Sequence, residues 1–127
     1  PDNPRLAPSL SNLAELYRIK GQFAKAIPLL DRALTINEKK FGHDDSKIAN
    51  LLNNLALLYF NQGTYNKAEP LMKRALTINE KTLGSEHLTV ARTLKNYAAL
   101  LRKTKRAAQA NEFEKRAKAI LEKQGQQ

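Results

Sequence analysis

Apolar residues recur along this chain with the period of an α-helix. Ile48, Leu51, Leu52, Leu55, Ala56 and Tyr59 fall at +3, +4, +7, +8 and +11, which is one face of a helix with 3.6 residues per turn. A polar break follows at Asn61-Gln62-Gly63-Thr64. A second stripe then runs through Tyr65, Ala68, Met72, Ala75, Leu76 and Ile78 and stops at Gly84, as helices commonly stop at glycine. The same alternation surrounds Gly21 and Gly42. The pattern predicts helices at about 5–19, 23–40, 46–61, 65–82, 88–103 and 107–123. Pro28 and Pro70 fall in the second turn of their helices, where each forfeits at most one backbone hydrogen bond. Short links between successive helices favour antiparallel neighbours.

The pattern is an internal repeat. AIPLLDRALTINEKKFG from Ala26 returns as AEPLMKRALTINEKTLG from Ala68, an offset of 42, and residues 5–46 match residues 47–88 at 21 of 42 positions. A weaker third copy begins at Thr89, with Leu94, Asn96, Ala98, Arg116, Ala117, Ile120 and Glu122 in register. A fixed period of this length is the signature of stacked repeats. One array is therefore expected over 1–127, divided into 5–46, 47–88 and 89–127.

These residues resemble the tetratricopeptide repeat. The pattern stands as Leu13-Ala14-Glu15-Leu16-Tyr17, Gly21, Phe23, Ala26 and Arg32-Ala33-Leu34, and again as Leu55-Ala56-Leu57-Leu58-Tyr59, Gly63, Tyr65, Ala68 and Arg74-Ala75-Leu76. The 42-residue period and the wording LNNLA…QG…KAEPL…RALTI are similar to the kinesin light chain subtype. The third copy departs from the pattern, with Lys105 for the glycine, Ala107 for the aromatic and Glu112 for the proline. The links between repeats read Asp45-Ser46-Lys47 and His87-Leu88-Thr89 where the subtype has His-Pro-Asp. The resemblance implies an all-α, right-handed superhelical solenoid of three helical hairpins.

Two expectations concern the ends. In register, Pro1-Asp2-Asn3-Pro4 matches His43-Asp44-Asp45-Ser46, which suggests further repeats upstream. Leu30, Leu34, Met72 and Leu76 should pack on a following repeat, whereas Glu114 and Lys118 hold those slots in the third copy. The last helix thus reads as a cap, with the polar outer face that ends a stack.

Composition narrows the chemistry. The chain has 127 residues and no cysteine, which excludes disulfides, thiolate metal sites and cysteine nucleophiles. No apolar run reaches the roughly 20 residues of a membrane span. There is no phosphate loop, nucleophile elbow or His-Glu-x-x-His pattern. An enzyme is not expected, and no cofactor or metal is implied. His43 and His87 read as surface residues in turns, and Asp44 and Asp45 as acids favoured by a helix N-terminus. Net charge is +10 and uneven: residues 89–127 carry ten basic and three acidic side chains, whereas residues 5–46 carry seven and five. Such an end favours acidic partners.

The resemblance also places a ligand. In tetratricopeptide arrays the first helix of each repeat lines the inner, concave surface. At about 100° per residue, Lys47, Asn50, Asn54, Leu57 and Asn61 share one stripe, bordered by Asn53 and Phe60. Its counterparts are Ser11, Asn12, Glu15, Arg18 and Ile19, and Arg92, Lys95, Asn96, Ala99, Arg102 and Lys103. Asn12, Asn54 and Asn96 recur in one slot, and an Asn amide both donates and accepts. In kinesin light chains and chaperone-adapter domains, asparagines at this slot hold a peptide backbone. The alternative is that they bond a neighbouring helix and fix repeat spacing. Arg92, Lys95 and Arg102 could grip carboxylates, with Leu57 as an apolar floor; packing suits Phe60 better. The first reading is thus a cytoplasmic scaffold that binds an extended, acidic segment of another protein. The second is nucleic-acid binding through Lys105, Arg106, Lys115, Arg116 and Lys123. The third is self-assembly by repeat stacking.

Overall fold

The structure, a computed structural model, describes residue 3 and residues 5–125. The register match at Pro1, Asp2 and Pro4 lies outside them. Six helices follow in order: α1 (Leu6–Ile19), α2 (Phe23–Phe41), α3 (Ser46–Gln62), α4 (Tyr65–Leu83), α5 (Leu88–Lys103) and α6 (Ala107–Gly125). Each lies within two residues of its expected bounds, and no strand occurs among the described residues. Each helix packs on the next along the chain, and α3 also touches α5. The result is an all-α repeat solenoid of three antiparallel hairpins.

The stripes read from the sequence become the core. Ile48, Leu52, Leu55, Ala56, Ala68, Met72 and Ala75 are all buried. One cluster joins α1, α2 and α3 to Ala75 and Ile78 of α4. A second joins Ala56 of α3 to α4, α5 and α6, and Tyr59 and Leu71 pack against both. A Leu or Ile fully withdrawn from water contributes about 1.5–3 kcal/mol, so the stack is held by repeated apolar burial. The outer faces behave as the register expects. Leu30, Leu34, Met72 and Leu76 are buried, while Glu114 and Lys118 of α6 are exposed. On α1, Leu13 and Leu16 are exposed in the register of the buried Leu55 and Leu58.

Charge reinforces the stacking at the repeat period. Arg74 of α4 reaches back to Glu38 of α2 at 2.7 Å, and in the same register Arg116 of α6 reaches Glu80 of α4. Lys81 meets Asp44 at 3.4 Å and Lys123 meets Glu86 at 3.9 Å, again in register. The two lysine pairs are exposed and contribute little, about 0–1 kcal/mol each, while the two arginine pairs are part-buried. Burial pushes the Glu38 carboxyl up, but hydrogen bonds from Arg74 and His43 outweigh it and hold the group below its ordinary range.

The two loop histidines do more than decorate turns. His43 Nδ1 lies 2.5 Å from Glu38. His87 caps α5: its Nδ1 accepts from the Thr89 N–H at 3.0 Å, as Asp45 Oδ1 accepts from Lys47 N–H at 2.8 Å on α3. The acids beside His43 are also engaged, Asp44 with Lys81 and Asp45 as that cap.

Candidate peptide-binding groove

Because the helices alternate in direction, α1, α3 and α5 run side by side along one face. Two chambers open there. The first, of about 300 Å³, lies between α1 and α3 and is lined by Ser11, Ala14, Glu15, Arg18, Leu30, Asn54, Leu57, Leu58 and Asn61. The second, of about 430 Å³, lies between α3 and α5 and is lined by Asn50, Asn53, Asn54, Leu57, Arg92 and Asn96. Asn54 and Leu57 line both, which makes the chambers one continuous groove.

The two chambers differ in character. Ala14, Leu30, Leu57 and Leu58 give the first an apolar wall. Its one cation is Arg18, which donates to Glu15 at 2.9 Å and holds that carboxyl below its ordinary range. The second is ringed by four asparagines and Arg92. Among the described residues no protein group bonds the side chains of Asn50, Asn54, Arg92 or Asn96, so their polar atoms face the groove uncommitted.

The structure sorts the residues expected from sequence. Asn50, Asn54, Leu57, Asn61, Arg92 and Asn96 line the groove. Asn12 and Lys95 are exposed on α1 and α5 but line neither chamber. Two assignments need correction. Arg102 does not reach the groove, because its guanidinium turns to α6 and donates to Asn111 at 2.7 Å and to Glu114. Two acceptors on a packed neighbour outcompete solvent for that side chain. Asn53 is a groove residue only in part. It is 9 % exposed, and its amide donates to Thr93 Oγ1 on α5 at 3.2 Å. The role of fixing repeat spacing thus falls to Asn53, one position before the asparagine ladder. Phe60 packs against Tyr65 with ring centroids 5.5 Å apart.

Hydrophobic periodicity missed three buried polar residues, Asn53, Thr93 and Asn79. Thr93 also donates to the Thr89 carbonyl at 3.0 Å, which leaves its oxygen to accept from Asn53. Neither end of the Asn79 amide is bonded by a protein group. The sequence signal for Asn79 was its repetition of Asn37 within LTINE.

A polar network closes the end of the third hairpin. Glu69 of α4 accepts from Arg106 at 2.9 and 2.6 Å and from the Tyr97 hydroxyl at 2.9 Å. The Arg106 hydrogen bond holds the Glu69 carboxyl below its ordinary range against the effect of burial. Burial, then the Glu69 carboxylate, push the Tyr97 hydroxyl up to about 12. The basic cluster of this hairpin is consequently half consumed, since Arg106, Arg116 and Lys123 all meet carboxylates of the preceding hairpin.

The tetratricopeptide repeat family matches residues 5–59 and 47–123. Among solved structures, BtubC (BKLC) from P. vanneervenii is 28% identical with a TM-score of 0.86, over 93% of this chain and 47% of that one. The nearly identical TPR-like repeats of a kinesin light chain-type protein from Podosopora anserina are 25% identical with a TM-score of 0.85, over 96% of this chain and 58% of that one. The TPR domain of Arabidopsis FLU shares the fold, at 15% identity and a TM-score of 0.82 over 97% of this chain and 99% of that domain. The chain spans about half the length of the first two structures. No curated protein matches it.

Proposed function

The chain belongs to the tetratricopeptide repeat family, in its kinesin light chain-like subtype, and on that premise we propose a specific form of the family's general role as a protein-interaction scaffold. Residues 5–46, 47–88 and 89–127 act as three units of one array, the last a cap. The groove along α1, α3 and α5 binds an extended, acidic segment of a partner protein in the cytoplasm. The observation that carries this reading is the second chamber, where Asn50, Asn54 and Asn96 surround Arg92 and none is engaged by the protein itself. The amides match the donors and acceptors of a peptide backbone, and Arg92 can take a carboxylate in two parallel bonds. Leu57 and the wall of the first chamber receive an apolar side chain of the same segment. Lys95 adds charge at the rim and Asn12 extends the ladder. Each net hydrogen bond contributes about 0.5–1.5 kcal/mol, which supports affinity on the order of micromolar.

The test is capture from a nuclease-treated lysate by wild type, Asn54→Ala/Arg92→Ala and Arg102→Ala side by side. A protein held by wild type and by Arg102→Ala but lost by the double variant is the expected result. Equal retention by all three would remove the groove as the site. A second reading, stacking of copies, draws support from the exposed Leu13 and Leu16 of α1. Particle size rising with concentration in scattering is its signature.

A further inference from the structure

The alternating helix directions bring the three turns within hairpins to one edge of the solenoid and the turns between hairpins to the other. The two edges differ in charge. Residues 16–30, 58–72 and 100–114, one register of the repeat, form the first edge and carry eight basic and three acidic residues. Residues 37–47, 79–89 and 121–125, which form the second, carry five basic and six acidic residues. On the first edge the arginines are engaged: Arg18 by Glu15, Arg102 by Glu114 and Arg106 by Glu69. Lys67 faces Asp31. Lys20, Lys25, Lys103 and Lys105 are exposed and meet no carboxylate among the described residues.

Part of this charge is what helix ends favour, since Lys20 and Lys103 lie at the C-termini of α1 and α5. Lys25 and Lys67 occupy the first turns of α2 and α4, where the helix dipole disfavours a cation, but the Tyr17 ring under Lys25 and the Tyr59 ring and Asp31 beside Lys67 offset that cost. One position does run against local stability. Lys105 holds φ at 63°, in the slot that Gly21 and Gly63 fill at 74° and 85°. A lysine there carries backbone strain that glycine would not. A strained lysine at Lys105, on the same edge as the exposed Lys20, Lys25 and Lys103 that meet no carboxylate among the described residues, points to a partner of opposite sign.

We propose that this edge docks the phosphate backbone of a nucleic-acid duplex through Lys20, Lys25, Lys103 and Lys105, without reading its sequence. The turn tips are Lys20-Gly21-Gln22, Gln62-Gly63-Thr64 and Thr104-Lys105-Arg106. Beside them only Leu16 and Ile19, at the end of α1, are large, apolar and exposed; they continue the α1 face of Leu13, and the other two tips present nothing apolar to insert into a bilayer, where charge alone anchors poorly. The Tyr17 and Tyr59 rings lie under Lys25 and Lys67, each 5.8 Å from the ring centroid, so they offer no open platform for unpaired bases. Flexible lysines supply point charges rather than the fixed fork that reads a base edge. The outer turns stand roughly two helix-packing distances apart, ~20 Å, which spans about six base pairs.

The experiment titrates the chain against a mixed-sequence duplex of about 20 base pairs by fluorescence anisotropy, over a range of salt concentrations. Four phosphate contacts predict a slope of log affinity on log salt of about −3.6. Lys103→Ser/Lys105→Gly is expected to reduce that slope by about half and to melt no lower than wild type. Lys115→Ser/Lys118→Ser, on α6 away from the edge, and Asn54→Ala/Arg92→Ala, in the groove, are expected to leave it unchanged. An equal change in the α6 pair, an unchanged slope in the edge pair, or no binding at low salt overturns the proposal. Binding to phosphatidylserine vesicles in place of the duplex also overturns it and assigns the edge to a membrane.

Discussion

The second and third hairpins share a register but not a set of local signals. The α3–α4 hairpin opens on an Asp45 cap, turns at Gly63 in the left-handed region and presents Met72 and Leu76 to its neighbour. The α5–α6 hairpin opens on His87, turns at Lys105 and presents Glu114 and Lys118 to solvent. The two nevertheless have helices of similar length, and α5 is buried as fully as α3, while α6, facing solvent on its outer side, buries only Ala110, Ala117 and Ile120. Buried apolar side chains decide the fold, and local chemistry adjusts to it. The imidazole Nδ1 of His87 does the work of a carboxylate. Arg106, tied to Glu69 and to Thr104 at 3.1 Å, holds the turn that glycine would otherwise ease.

The comparison can be broken most severely in the core. Leu52 and Leu94 occupy the same register and both are fully buried. Each is expected to cost about 2–5 kcal/mol as the alanine variant, measured by urea denaturation. A much smaller loss for Leu94→Ala would mean that the third hairpin is packed less firmly than the second.

A sharper contrast lies in alkaline solution. Tyr97 stands where the second hairpin has Leu55, and its hydroxyl is raised to about 12 from about 10 in an unfolded chain. A raised acid favours the folded state below the unfolded value, so its contribution is complete below pH ~10. It is lost as pH rises toward the folded value of about 12, by on the order of 2 kcal/mol. Tyr97→Leu is expected to remove that decline, as followed by thermal melts across this range. A decline of equal slope in the variant would place it elsewhere.

The smallest effect concerns the turns. A side chain added at Gly63 meets open space, so only its φ of 85° matters. Gly63→Ala is expected to lose about 1 kcal/mol, and Lys105→Gly to gain about 0.5 kcal/mol after the entropy that glycine loses. Melting temperatures moving in opposite directions would confirm that one backbone conformation serves both turns.

Groove and fold were legible to different depths. Helix bounds followed from the spacing of Ile48 to Tyr59 and from Gly42 and Gly84, because helical amphipathicity and termination are local properties. Asn54, Leu57 and Arg92 were found as a stripe because side-chain direction along a helix is also local. Arg102 was misplaced by the same rule. Its stripe position is correct, but a guanidinium on a long stem goes to whichever acceptors stand nearest, and those belong to α6. The buried roles of Asn53 and Asn79 were missed because polarity in a single helix pattern reads as exposure.

By itself, the sequence determined that this chain is a stack of helical hairpins with a 42-residue period and that one face of α1, α3 and α5 carries amides and cations. Those features repeat, and each copy specifies them through its own spacing. Only the tertiary structure decided which charges stay available. Arg92 remains open to the groove, while Arg102, Arg106 and Arg116 are bound to Glu114, Glu69 and Glu80. Those partners lie 12 to 37 residues away along the chain, and only packing one helix on another brings them within reach.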